Sequence, residues 1–170
     1  PLIIISLYRS YITAADMKPI TALFAALRTK GFAVMGLFAP SLKAPVAAAW
    51  LAAQIRHFQP VCIVNATSFS GKGATGVSPL DAGNVPVFQV ALSTANRSAW
   101  ADAERGLSPA DMAMHVVLPE VDGRLFAGVA SFKQAEVKDG ALEFARVAHH
   151  PDENRIQAVA DKVSRWHRLQ

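Results

Sequence analysis

The 170-residue sequence predicts an open α/β fold, Rossmann-like or flavodoxin-like, with mainly parallel strands, helices on both faces and an antiparallel hairpin near the C-terminus. Three observations predict it. Strand and helix patterns alternate as strand, helix, strand, helix, strand within the first 65 residues, the signature of consecutive right-handed βαβ units. The first run, Leu2 to Tyr8, is almost continuously apolar rather than alternating, as in a strand covered on both faces. With 52% hydrophobic and 18% charged positions, the chain can also bury a sizeable core.

The elements follow in order. After the first strand, Thr13 and Asp16 offer N-caps, and Pro19 is tolerated in a first helical turn. Ile20, Leu23, Phe24 and Leu27 then mark one helix face before Gly31 ends it. Phe32 to Phe38 reads as a second strand. Ala47, Leu51, Ile55 and Phe58 trace the buried stripe of a second helix that stops at Pro60. Val61 to Asn65 is a third strand. Residues 66 to 84 hold four glycines and no apolar period, which predicts a long loop; Val85 to Leu92 is a fourth strand. A short helix spans Ser98 to Arg105, and Ser108-Pro109 opens another. Leu125 to Lys133 is a strand, paired with Ala141 to Val147 through a turn at Asp139-Gly140. Pro151 and Asp152 open a last helix, whose inner face carries Ile156, Val159, Val163 and Trp166.

Composition excludes several classes. No run of about 18 apolar residues exists to span a membrane, and Leu2 to Leu7 lacks the basic flank and cleavage site of a leader. The lone Cys62 excludes an internal disulfide and fits a reducing cytoplasm, the expected location. The formal charge of +4 is uneven: residues 1 to 60 carry +5 and the remainder −1. The basic residues are scattered and have no nucleic-acid motif beside them, so the sequence predicts a basic face toward an anionic partner and no nucleic-acid binding.

Ligands in open parallel sheets sit beyond the carboxyl ends of the strands, where strand order reverses. That rule selects Tyr8, Arg9 and Ser10 at the end of the first strand, Ser41 after the second, Asn65, Thr67 and Ser68 at the end of the third, and Ser93 and Thr94 after the fourth. Their guanidinium, hydroxyl and amide groups suit carboxylate or other polar ligand groups, although the same residue types also satisfy turn backbone. Leu118 to Arg124 (LPEVDGR) reads as a tight Pro/Gly turn carrying Glu120 and Asp122. No catalytic residue is predicted. Residues 66 to 73 (ATSFSGKG) fail as a phosphate loop because Ala66 replaces the first glycine and Gly73 the magnesium-binding hydroxyl. They also lack the glycines of a nucleophile elbow. No metal site is predicted: His149 and His150 would point to opposite faces of a strand, and His57, His115 and His167 read as isolated, with no carboxylate at helical i+4 spacing.

Taken together, several stretches resemble the large subunit of cobaltochelatase, the CobN type, and that of magnesium chelatase. They are Tyr8 to Tyr11 (YRSY), Ser41 to Lys43 (SLK), Val64 to Phe69 (VNATSF), Pro79 to Asp81 with Val85 to Val90 (VPVFQV), Arg105 to Asp111 (RGLSPAD) and Val117 to Arg124 (VLPEVDGR). The last two are the most specific, and the Leu118 to Arg124 wording with Ser131 to Lys133 favours the cobalt type. The resemblance implies that residues 1 to 170, which open on Pro1 rather than methionine, are a single α/β domain excised from a much longer subunit. It implies a tetrapyrrole-binding subunit that inserts cobalt into a corrin precursor, hydrogenobyrinic acid a,c-diamide, in cobalamin biosynthesis. An AAA+ ATPase subunit and its companion would be the partners; ATP and cobalt would be used by the full complex and no cofactor held by this piece. The piece itself would scaffold or bind, with Arg9, Ser10, Asn65, Thr67, Ser68, Gln89, Glu120 and Asp122 as ligand or partner contacts. A magnesium chelatase domain and a freestanding small-molecule-binding domain are the alternatives.

Overall fold

The computed structural model describes residues 1–104, 106–136 and 146–170. It is a mixed α/β structure built on a curled six-stranded sheet of order β2-β1-β3-β4-β5-β6. The strands are β1 (Leu2–Tyr8), β2 (Ala33–Ala39), β3 (Cys62–Asn65), β4 (Val87–Leu92), β5 (Leu125–Ala135) and β6 (Val147–Pro151). The first five are parallel to their neighbours, and β6 runs antiparallel to β5.

Strand β1 lies between β2 and β3, which is why its sequence is apolar on both faces. Ile3, Ile5 and Leu7 pack into one cluster with Ile20, Leu23 and Leu27 of helix α2 (Lys18–Thr29) and Ile156, Val159 and Val163 of helix α7 (Glu153–His167). Ile4 faces the other way, against Leu51 and Ile55 of helix α3 (Pro45–Phe58). Each fully buried isoleucine contributes about 1.5–3 kcal/mol of apolar burial. Cys62 lies within this core, and burial pushes its thiol up to about 12, leaving it an unreactive apolar residue.

Several local expectations are corrected. A short helix α1 (Arg9–Thr13) precedes α2, and neither Thr13 nor Asp16 caps α2: its N-cap is Met17, with no side-chain hydrogen bond. The Asp16 carboxyl is instead bonded to His149. Phe58, expected in a buried stripe, is exposed beside His57 where α3 ends. The 66–84 segment is not wholly loop: Ser78 and Asp81 form a reciprocal capping box that starts a 3-10 turn, Pro79–Gly83, and Leu80 packs under α3. After α4 (Arg97–Asp102), residues 109–121 form a continuous helical segment: α5 (Pro109–Met112), a π turn (Ala113–Val117) and α6 (Leu118–Val121). Pro119 cannot donate to the carbonyl four residues back, and its ring crowds that carbonyl; the widened turn relieves the conflict. Leu118 to Arg124 is thus mostly a helix end, and only Asp122 and Gly123 turn. The antiparallel partner of β5 is Val147–Pro151 rather than Ala141 to Val147. The expected turn at Asp139-Gly140 lies outside the described residues. Among the described residues, no helix is long and apolar enough to cross a membrane.

Candidate functional site

Strand order reverses between β1 and β3, so the sheet opens a crevice at their carboxyl ends. The floor of that crevice is a closed polar network. Asn65 Nδ2 donates to Gln89 Oε1 at 2.7 Å, and Asn65 Oδ1 accepts from Ser6 Oγ at 2.6 Å and from the Thr67 amide and hydroxyl at 3.2 and 2.8 Å. Gln89 Nε2 in turn donates to the carbonyls of Thr67 and Val90. These four side chains are 0–2% exposed. The network joins β1, β3 and β4 and gives each buried polar group a partner, which the low-dielectric interior demands. Three predicted contact residues, Asn65, Thr67 and Gln89, therefore come together, but their hydrogen-bonding capacity is used within the protein.

Above the network the surface changes character. Tyr8 Oη donates to the Ser68 carbonyl at 2.7 Å and accepts from the Ser68 amide at 3.2 Å, tying the end of β1 to the loop after β3. The next residue, Phe69, has φ +64°, a left-handed conformation that costs a bulky residue about 1–2 kcal/mol. It is held there because its amide donates to the Met114 carbonyl at 2.7 Å, and Asp122 clamps the following residues. Asp122 accepts from Ser70 Oγ at 2.8 Å and from the Gly71 amide at 2.6 Å. Gly71 is required at that approach: a Cβ there would lie 2.8 Å from Ser78 Oγ and 3.0 Å from Leu42 Cδ1. The result is a pocket of about 300 Å³ at the ends of β1, β2 and β3, with Ser41 and Lys43 facing Tyr8, Ser68, Phe69 and Leu118.

A second cluster lies at the end of β4. The Asp111 carboxyl is 0% exposed and accepts from Ser93 Oγ, the Thr94 amide and Thr94 Oγ1 at 2.8–2.9 Å. Four residues later, His115 Nε2 is 3.9 Å from Asp111 Oδ1, and His115 Nδ1 is buried without a hydrogen-bond partner. Asp111 and His115 are thus an i,i+4 carboxylate–imidazole pair, contrary to the expectation that no such spacing exists. Across the strand ends, His149 Nδ1 meets Asp16 Oδ2 at 2.6 Å, and Tyr11 packs edge-on against the His149 ring. Burial raises the Tyr11 phenol, reinforced by Tyr8 and Asp16. His149 and His150 use different partners, Asp16 and Glu136, as alternation along a strand requires. Among the described residues no three His, Cys, Asp or Glu side chains are grouped to hold a metal.

Burial holds His115 below the ordinary imidazole value of 6.5; Asp111 opposes this shift and His149 reinforces it. Above pH 6.5 the ring is neutral in both folded and unfolded chains, so its contribution is constant. As pH falls below that value the unfolded chain takes up a proton that the folded one resists, so stability falls, by at most about 1.4 kcal/mol per pH unit for one group. Urea unfolding at pH 7, 6 and 5 should therefore show a shallower loss for His115→Asn than for the native sequence. Equal slopes would exclude His115 as a source of that pH dependence.

The remaining predicted residues divide. Arg9 and Ser10 are exposed at the start of α1, and Glu120 is exposed on α6. Ser68 lines the pocket, whereas buried Asp122 fastens the 66–84 segment to the end of α6. Arg124 adds a second tie, donating to Asp81 at 2.6 Å. Sequence reasoning placed Tyr8 at the end of the first strand but missed the roles of Lys43, Phe69, Asp111, His115 and His149. Only the Asp111–His115 spacing carried a readable signal; the others depend on which loops meet.

With this geometry in hand, similarity to known proteins is informative. The CobN/Magnesium Chelatase family model matches residues 1–170. The aerobic cobaltochelatase subunit CobN of a Sinorhizobium species is 36% identical over 169 residues, covering 98% of this chain and 13% of that protein. Its Pseudomonas aeruginosa counterpart is 32% identical over 171 residues, covering 99% of this chain and 14% of that protein. A solved structure, the catalytic subunit of cobaltochelatase from Mycobacterium tuberculosis, superposes with a TM-score of 0.79 at 27% identity, over 99% of this chain and 15% of that one. The chain spans about one seventh of the length of each of these relatives. A family match from first residue to last, with the same fold in a solved relative, places this chain in the CobN/magnesium chelatase family.

Proposed function

We propose that residues 1–170 are one domain of the tetrapyrrole-binding large subunit of an ATP-dependent, cytoplasmic cobaltochelatase. That enzyme inserts cobalt into hydrogenobyrinic acid a,c-diamide on the route to cobalamin. The observation that carries this reading is the end-to-end match to two CobN subunits at 32% and 36% identity. Within the reaction the domain binds and scaffolds. Its crevice presents hydroxyl groups, one ammonium and apolar side chains, and the carboxyls of Asp16, Asp111 and Asp122 are engaged by neighbouring donors. An AAA+ ATPase subunit and its companion supply the energy, and cobalt is the substrate ion rather than a resident of this domain.

The test uses the polypeptide that carries this domain, mixed with both partner subunits, ATP, cobalt and the corrin precursor. ATP-dependent change of the corrin absorption spectrum as cobalt enters is the expected result. Magnesium insertion into a porphyrin without cobalt insertion into the corrin would assign the chain to the magnesium branch instead. Absence of binding to either macrocycle would overturn both.

A further inference from the structure

We propose that the pocket at the ends of β1, β2 and β3 is a carboxylate site, one that seats an acidic side arm of the macrocycle with part of its ring edge. The inference rests on the reading of this chain as part of a macrocycle-binding subunit and assigns where on this domain the macrocycle is held.

Several observations converge on that chemistry. The pocket is at the topological switch point, where open α/β sheets bind ligands. Its charged lining residue is Lys43, an exposed ammonium with no carboxylate partner among the described residues, so within those residues the pocket's charge is positive. The hydroxyl groups of Ser41 and Ser68 line the same pocket and can donate to a carboxylate, whereas the Tyr8 proton is already given to the Ser68 carbonyl. Helix α3 begins two residues beyond Lys43, and its N-cap, Ala44, provides no side-chain hydrogen bond, so the positive end of the helix adds to the same field. The walls are apolar: Phe69 is 49% and Leu118 38% exposed, large side chains left uncovered on either side of the polar floor. At about 300 Å³ the pocket is at the small end of ligand sites, suited to a substituent and part of a ring rather than a whole macrocycle.

The backbone supports a binding role for Phe69. Its left-handed conformation is unfavourable for phenylalanine and is imposed by contacts on both sides, which keeps the ring presented at the pocket mouth.

The experiment measures macrocycle binding by the full subunit, by quenching of intrinsic fluorescence, with hydrogenobyrinic acid a,c-diamide and its fully methyl-esterified form. The free acid should bind at least about tenfold more tightly than the ester, the difference made by a charge-assisted contact. Lys43→Ala should lose about tenfold for the acid and little for the ester, while Lys43→Arg should retain most of the affinity. Arg56→Ala, an exposed cation at the far end of α3, should change neither. Phe69→Gly should weaken binding of both forms while leaving the unfolding temperature unchanged or raised. If the subunit binds acid and ester equally and Lys43→Ala has no effect, the pocket assignment fails while the macrocycle-binding reading stands. If it binds neither macrocycle, both fail.

Discussion

Asp111→Ala should destabilise this domain by about 3–5 kcal/mol, because one buried carboxyl serves several donors at once. Its oxygens accept from Ser93 Oγ, the Thr94 amide and Thr94 Oγ1, and Ser93 is itself 0% exposed. Alanine would strand the buried Ser93 hydroxyl, hand the donors of exposed Thr94 over to water, and remove the group that faces His115 Nε2. The contacts are also long-range, joining the end of β4 to the helical segment at residues 109–121, so their loss frees the segment that Phe69 leans on through Met114. Asp111→Asn keeps the shape and one acceptor and should lose about half as much. Urea unfolding of the two variants measures both values, and amide exchange at Thr94 should accelerate in proportion. A loss below about 1 kcal/mol for alanine would mean that the network does not anchor this segment.

Asn65→Leu should cost about 3 kcal/mol, although leucine is similar in size and more apolar. The native amide satisfies Ser6, Thr67 and Gln89 together, and leucine leaves all three buried without that partner. Because the cost comes from stranded partners rather than from the lost side chain, a second substitution should recover part of it. The double variant Asn65→Leu/Gln89→Leu should be more stable than the sum of the two single losses predicts, by about 1 kcal/mol. Additive losses would show that the two amides act independently. Either result is read from the same unfolding curves, with the native chain as reference.

Both predictions concern residues that look alike in the sequence and differ in the structure. Asn65 and Thr67 read as ligand contacts because they stand at the end of β3, which is where the structure places them, while Gln89 lies within β4. Yet each faces a neighbouring strand, and pairing of β3 with β1 and β4 brings Ser6, Asn65 and Gln89 into line. No local pattern announces that register. Tyr8 and Ser68 are 60 residues apart, and their mutual hydrogen bonds exist only because β1 and β3 are adjacent. Lys43 similarly becomes part of a pocket only when the loop after β2 faces the loop after β3. The helical end at Leu118–Val121 was concealed by Pro119 and Gly123, residues that mark turns as readily as helix ends.

The sequence by itself determined the class of fold, the parallel β1 to β4 framework and most of the buried stripe of each long helix, with Phe58 of α3 the exception. Those features rest on hydrophobic periodicity and on Pro and Gly signals, which act over a few residues. The motif resemblance also placed the chain in its family, since it depends on the order and wording of short segments along the chain. Tertiary structure decided which polar groups face inward, which helix turn widens around His115, and that Asp122 is a clasp while Lys43 lines a cavity. The physical reason is that desolvation and hydrogen-bond satisfaction depend on partners contributed by distant segments, and those partners meet only once the sheet has assembled.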